Sequence, residues 1–192
     1  MAATKDRFIE TTCELLEAQG YHATGLKEIV EESGAPRGSL YYHFPDGKEE
    51  LAANAVRRSG EAYARSIAKN LKEDRSISEG VHDFVLNIAD RVEASGYRSG
   101  GPLTAIAMET ATTNQRLNKA CRKAFNQIRD VFSEKLVKGG IDSKQAEELA
   151  QFITASVEGA IILSRTHHSG EPLRLIAARL RFFLKAFQRR KP

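Results

Sequence analysis

The sequence predicts an all-α fold of about nine helices, arranged as a three-helix N-terminal module and a larger helical domain. Three observations carry that expectation. Apolar residues recur three or four positions apart through nearly every segment, no segment sustains the alternation of a strand, and turn-forming residues fall between the periodic stretches. With 192 residues, 41% hydrophobic and 28% charged, and five prolines, the chain can bury a sizeable core and does not have the composition of a disordered protein.

The first helix carries Phe8, Thr12, Leu15, Leu16 and Gln19 on one stripe and ends at Gly20. A short helix follows Thr24, placed to act as its cap, with Leu26, Ile29 and Val30 inward. Gly34 supplies a tight turn, and a third helix opens near Pro36, where no side-chain cap is available. A long helix from Lys48 to about residue 73 shows Val56, Gly60, Tyr63, Ile67 and Leu71 on one face. Ser76-Ile-Ser-Glu79 forms a capping box for a helix bearing Ile77, Val81, Phe84, Ile88 and Val92. The run Ser95-Gly-Tyr-Arg-Ser-Gly-Gly-Pro102 is a break. A short helix over 103–112 and a long one with Leu117, Cys121, Phe125, Ile128, Phe132 and Leu136 come next, stopped by Gly139-Gly140. Asp142-Ser-Lys-Gln145 caps the eighth helix, which runs to about Arg165. The last starts at Pro172, a favoured first-turn residue, with Leu173, Ile176, Leu180, Phe183 and Phe187 on its stripe.

Charge excludes some arguments and leaves others. The net charge is +4, yet residues 1–50 hold Lys5, Arg7, Lys27, Arg37 and Lys48 against twice as many acidic side chains. The basic excess sits at the other end, where Arg189, Arg190 and Lys191 read as a solvated helix end complementing its dipole. Composition alone is therefore no nucleic-acid signature. Cys13 and Cys121 have no metal-ligand spacing and read as buried small hydrophobes in a reducing compartment. His167 and His168, read as helical neighbours about 100° apart with no third ligand nearby, make no metal site. No metal and no cofactor is expected. No phosphate loop, nucleophile elbow or His-Glu-x-x-His run points to an enzyme. The opening residues do not read as a signal peptide, and no apolar run reaches membrane-span length, so a cytoplasmic protein is expected.

The informative stretch runs from Thr24 to Phe44. It reads as a helix-turn-helix whose second helix presents Arg37, Gly38, Ser39, Tyr41, Tyr42 and His43, with Leu40 and Phe44 as anchors. Arg37 can donate two hydrogen bonds to a guanine edge, and Ser39 can take either role at a base. Gly38 permits close approach. Tyr41 suits a thymine methyl or a phosphate, and Tyr42, His43 and Lys48 suit phosphates. Helix N-termini near Thr24 and Lys48 would add amide donors. Read without that context, Tyr41-Tyr42-His43-Phe44 is equally an aromatic junction packed on the next helix.

In order and spacing, the first 60 residues resemble the TetR family of transcription regulators, through the run Gly-x-x-x-Gly-Ser-Leu-Tyr-x-His-Phe. Three residues, rather than the usual two, separate Phe44 from Lys48. With Gly101-Pro-Leu-Thr-Ala-Ile-Ala-Met-Glu-Thr110, that link is similar to the LmrA/YxaF branch. The resemblance places Lys27 where some relatives carry a DNA-contacting arginine. It implies a DNA-binding domain over 1–50 and a ligand-binding and dimerisation domain over 51–192. It further implies repression of a palindromic operator on double-stranded DNA, relieved by a small apolar or flat aromatic effector such as a flavonoid. Phe84, Ile88, Ile106, Met108, Phe125 and Phe132 would line the pocket, with Glu109, Thr112, Asn114 and Gln127 as polar groups. The alternatives are that these are ordinary core residues, and that the chain is a constitutive DNA-binding protein without a ligand.

The eighth helix carries Ala155, Ser156, Gly159 and Ala160 as a small-residue strip flanked by Phe152, Ile153, Val157 and Ile161. With Phe183 and Phe187 it predicts a homodimer interface, a four-helix bundle across a two-fold axis. Glu158 in that stretch either faces a pocket or pairs with an arginine. Two reading heads would then meet half-sites about one helical turn apart, and a ligand beside the helix over 48–73 would spread them.

Overall fold

The computed structural model describes residues 2–71 and 75–188. Among these residues the secondary structure is entirely helical, in nine segments. They are α1 (Ala2–Ala23), α2 (Leu26–Ser33), α3 (Arg37–His43), α4 (Lys48–Asn70), α5 (Ile77–Ala94), α6 (Pro102–Thr110), α7 (Gln115–Lys138), α8 (Ser143–His167) and α9 (Glu171–Gln188). Each expected helix is present within a few residues of its expected ends. Arg189, Arg190 and Lys191 lie outside the described residues.

The stops and starts follow local chemistry. The Ser76 hydroxyl accepts the Glu79 N–H at 3.3 Å. The Asp142 carboxylate accepts the N–H groups of Lys144 and Gln145 at 3.0 and 3.3 Å. After α7, the N–H of Ile141 returns to the carbonyl of Leu136 at 3.1 Å, closing the helix end through the Gly139-Gly140 pair. Contrary to the reading of His167 and His168 as helical neighbours, His168 lies outside the helix. It caps α8 in the left-handed region at φ 49°, and its ring stacks on Tyr97, which is also left-handed at φ 64°. No cluster of metal-ligating side chains occurs among the described residues.

Packing groups the chain into two compact units. One comprises Met1–Glu61 and Gly101–Phe125, the other Ala62–Gly100 and Asn126–Pro192. In the first, Phe8, Leu16, Ile29, Leu40, Phe44 and Leu51 form a core to which α6 and α7 add Ile106 and Leu117. Phe8 and Phe44 meet edge to face, 6.3 Å between ring centres. In the second, Phe84 lies edge-on to both Tyr63 and Phe132, at 5.4 and 5.7 Å. Around them pack Ile67, Val81, Ile88, Ile153, Val157 and Leu180. Ion pairs fasten α9 to α5. Arg181 and Lys185 share Glu79 at 2.9 and 2.8 Å, and Arg174 reaches Asp90 and Glu93 at 3.1 and 2.8 Å.

The stripe expected for α9 is rotated. Leu173, Ala177, Leu180 and Leu184 face the core, whereas Phe183 is exposed and Phe187 half-buried. The four inward residues repeat at four, three and four positions, a stripe as regular as the expected one and rotated from it by a few tens of degrees, so spacing alone does not choose between them.

Replacing Phe44 by Ala removes a wholly buried ring from the first unit. Chemical denaturation should show a loss of about 3–5 kcal/mol.

Candidate nucleic-acid interface

The geometry of the helix-turn-helix begins at the end of α1. Gly20 leaves the helix at φ 82°, ψ −177°, and the chain makes one further turn to Ala23. Thr24, expected to cap α2 and to face DNA, does neither. Its side chain is buried (1% exposed), and its hydroxyl donates to the Gly20 carbonyl at 2.6 Å, closing the turn behind it. The N-cap of α2 is Gly25 instead, whose N–H donates to the Glu28 carboxylate at 3.4 Å; that carboxylate also accepts from the Gln19 amide at 2.8 Å.

Between α2 and α3 the chain turns at Gly34, left-handed at φ 57°. Arg7, a residue that sequence reasoning did not single out, braces this turn by donating to the Ser33 carbonyl. Its guanidinium occupies the space a side chain at position 34 would need. A cation here also complements the negative end of the α2 dipole. The helix α3 then starts after Pro36 without a side-chain cap, as expected. Ser39 compensates locally: its hydroxyl and its N–H both donate to the Pro36 carbonyl, at 2.6 and 2.9 Å. The hydroxyl proton is thus engaged, and Ser39 offers outward chiefly its acceptor lone pairs.

A helix about 10–12 Å across with its side chains fits a major groove about 12 Å wide. Leu40 and Phe44 are buried beneath α3. Arg37, Gly38, Tyr41 and Tyr42 are exposed, the two tyrosines at 61% and 69%, and nothing crowds the Gly38 backbone. His43 is half-buried, edge-on to Tyr42 at 5.1 Å. Lys27 is exposed on α2 and pairs with Glu31 at 3.7 Å, an open contact of the kind worth only a few tenths of a kcal/mol.

The three-residue link before α4 is accommodated by a turn. The Gly47 N–H donates to the Phe44 carbonyl at 2.9 Å, and the Leu51 N–H to that of Gly47 at 3.1 Å, so Gly47 stands as the residue immediately before α4. Lys48 follows with its ammonium 4.3 Å above the centre of the Tyr21 ring. Burial pulls this ammonium below the usual lysine range, and the charge of Glu109 works against that pull. Burial and the neighbouring Glu49 push the Tyr21 phenol up, so the ring stays neutral beneath the cation.

The acidic balance of the N-terminal helices is met by cations from later in the chain. Arg58 on α4 bridges Asp6 and Glu10 at 2.8 and 2.6 Å. Arg116 on α7 pairs with Asp46 at 2.8 Å, and the Asn114 amide donates to Glu49 at 2.6 Å.

The residues expected to line a pocket fall into both packing units. Phe84, Ile88 and Phe132 are core residues of the second. Ile106 is buried and Phe125 half-buried in the first, while Gln127 is exposed. Met108, 74% exposed, and Thr112 face solvent rather than an interior. Inward positions on α6 are Leu103, Ile106 and Thr110, and Met108 lies about 200° around the helix from Ile106. The carboxylate of Glu109 accepts the backbone N–H of His22 at 2.8 Å.

The expected interface on α8 also needs correction. Ile153, Val157, Ala160 and Ile161 are buried in their own protomer, at 0–4% exposure, and cannot meet a partner. Ser156 and Gly159 are half-buried. The exposed apolar side chains are Phe152, Ile162 and Leu163 on α8 with Leu175, Phe182 and Phe183 on α9. Phe152, Phe183 and Phe187 make one aromatic row, with ring centres 5.4 and 4.9 Å apart. No helix of the described residues is long and apolar enough to cross a membrane.

A short exposed second helix, braced through a tight turn onto the first and anchored by two buried side chains, defines a helix-turn-helix DNA-binding protein. Residues 8–55 match the family model of bacterial regulatory proteins of the tetR family, and residues 78–179 that of the LmrA/YxaF-like transcriptional regulator C-terminal domain. The HTH-type transcriptional regulators YxaF and LmrA of Bacillus subtilis are 37% and 34% identical to the chain. These alignments cover 92% and 95% of it, and 93% and 97% of those proteins. The crystal structure of reduced Escherichia coli NemR superposes with a TM-score of 0.82 at 21% identity, over 92% of this chain and 94% of that one. The chain belongs to the TetR family of transcriptional regulators, in its LmrA/YxaF-like group, and is not an enzyme.

Proposed function

We propose that the protein is a cytoplasmic, homodimeric repressor that binds a palindromic operator and is released by a small apolar or aromatic effector. The observation that carries this reading is the pairing of an exposed α3 with an exposed apolar strip on α8 and α9. The strip fits a second copy, since Phe152, Phe182 and Phe183 from two protomers would remove one another from water. A two-fold through it would give two reading heads, hence a palindrome. The functional division at residue 50 puts DNA reading in residues 1–50 and ligand binding and dimerisation in 51–192. Packing does not follow that division, because α6 and the start of α7 belong with the N-terminal helices.

In the proposed complex Arg37 reads a guanine edge, Gly38 lets the backbone approach, and Ser39 accepts from a base. Tyr41, Tyr42, His43, Lys27 and Lys48 contact phosphate or a thymine methyl. Thr24 supports the α2 end from inside. The flat faces of Tyr63, Phe84 and Phe132 support an aromatic effector, which would act only to the extent that it prefers the non-binding arrangement of the heads. Tight packing at Phe84, Ile88 and Phe132, all 1–2% exposed, favours a second reading: a constitutive DNA-binding protein. Operator release by a flavonoid panel separates the two, because a constitutive protein would hold its operator throughout.

Selection from a randomised duplex library at near-physiological salt should enrich a palindrome; enrichment of a single unrepeated site, or of none, would sink the dimeric reading. On the enriched site, Arg37→Ala should cost about 1–3 kcal/mol and relax preference at one base pair per half-site. Uniform weakening would make Arg37 a phosphate contact. For Lys48→Ala we expect the opposite pattern, equal weakening of all sequences and a salt slope smaller by about one. The double substitution Phe182→Glu, Phe183→Glu should yield folded monomers in analytical ultracentrifugation, with full-site affinity reduced to that of a half-site. A persistent dimer would move the interface elsewhere.

A further inference from the structure

Glu109 occupies an unusual position. It lies in the last turn of α6, yet its carboxylate accepts the N–H of His22, 87 residues away, at 2.8 Å. The donor exists because of the Gly20 break. With Gly20 at φ 82°, ψ −177°, the turn Tyr21–Ala23 starts afresh and exposes amide donors that α1 would otherwise satisfy. The site is also shaped for this carboxylate, since a side chain at position 20 would overlap it. The missing Cβ of residue 20 thus serves this contact twice, by permitting the positive φ that frees the donor and by leaving room for the carboxylate.

Tyr21 is the immediate neighbour of the capped His22, and its ring is the platform on which the Lys48 ammonium rests. The field of Glu109 also reaches Lys48. We propose that Glu109 is a positioning residue for DNA binding: by capping the His22 amide it holds the Tyr21–Ala23 turn, and through the Tyr21 ring it sets Lys48 where a phosphate is met. The inference rests on the DNA-binding reading of Lys48 and adds to it a residue outside the helix-turn-helix on which that contact depends. It makes α6 an element whose displacement alters phosphate contact directly, through one carboxylate.

Reach and charge can be separated. Glu109→Gln keeps an oxygen at the same distance without the charge, Glu109→Asp keeps the charge but falls short of His22, and Glu109→Ala has neither. If capping is the role, Gln binds the selected operator as tightly as the parent protein or more so, because a negative charge near the phosphate path is gone. Asp and Ala bind about five- to tenfold more weakly, the size of one ordinary hydrogen bond. Their salt slope falls by about one while base preferences stay unchanged, which a merely structural lesion would not produce. In amide hydrogen exchange of the free protein, His22 should exchange faster in Asp and Ala but not in Gln. This readout needs no DNA, so it tests the cap even where the DNA-binding reading itself fails. Any other ordering of the three variants, including Asp retaining affinity while Gln loses it, overturns the assignment.

Discussion

The helix that faces outward cannot exist on its own. A helix of seven residues lies well below the length at which helices persist in water, and α3 lacks even a side-chain cap. Its stability comes from below, where Leu40 and Phe44 are buried and Phe44 meets Phe8 of α1 edge to face. Everything exposed on α3 inherits its position from that burial. The Arg7 brace at the Ser33 carbonyl and the Thr24–Gly20 hydrogen bond act on the two ends of α2, fixing where α3 begins. A rigid head built this way loses little ordering entropy when it binds, which is the condition under which few contacts suffice for recognition.

Electrostatics pulls the other way, and the fold resolves it. Residues 1–50 are acidic, which would repel a phosphate backbone. Four of the ten carboxylates are, however, engaged by partners drawn from outside the helix-turn-helix. Arg58 holds Asp6 and Glu10, Arg116 holds Asp46, and Asn114 holds Glu49. The pairs are exposed, so each adds little stability. Their effect is on the field: partnered carboxylates repel an approaching polyanion less than free ones, and Arg37 stands exposed on the outward side.

The helices and the helix-turn-helix were legible in the sequence because they rest on local chemistry. Caps at Ser76 and Asp142, glycine stops and a period of 3.6 are all written within a few residues of where they act. What was not legible depends on a break in the local backbone, on a partner far along the chain, or on which face of a helix meets the core. Thr24 looks like a cap from its own neighbours, and only the Gly20 break turns its hydroxyl inward. Nothing near Arg7 marks it as the brace of a turn 26 residues on. On α8 the periodicity identifies two apolar faces but not which one meets its own core. Ile153, Val157 and Ile161 took the inner face, leaving Phe152, Ile162 and Leu163 outside. On α9 two equally regular stripes share Leu173 and Leu180, and the bulk of Phe183 suggested the wrong one; the core took Ala177 and Leu184 instead. The pocket lining was the least legible part, since Met108 of the short α6 turns away from the apolar side that Ile106 defines and the Glu109 carboxylate is engaged by the His22 N–H at the end of α1.

The small size of the reading head bears on why the exposed α8–α9 strip belongs to the same proposed function. Seven residues of helix present one arginine and two tyrosines, enough to discriminate a few base pairs at about 1–3 kcal/mol each. Against the many competing sites of a genome that is too little, because specific regulators bind roughly 10³–10⁷ times more tightly at their sites than elsewhere. Doubling the head doubles the discriminating free energy, provided the two copies are held at a fixed spacing. A loose tether would return part of the gain as entropy. The proposed interface of aromatic rings on two packed helices, with α9 itself fastened to α5 through Glu79, Asp90 and Glu93, would add little freedom of its own to such a pair. The apolar strip and the short recognition helix are therefore two halves of one requirement. A head this small is useful only in pairs, and a pair is specific only if its separation is held.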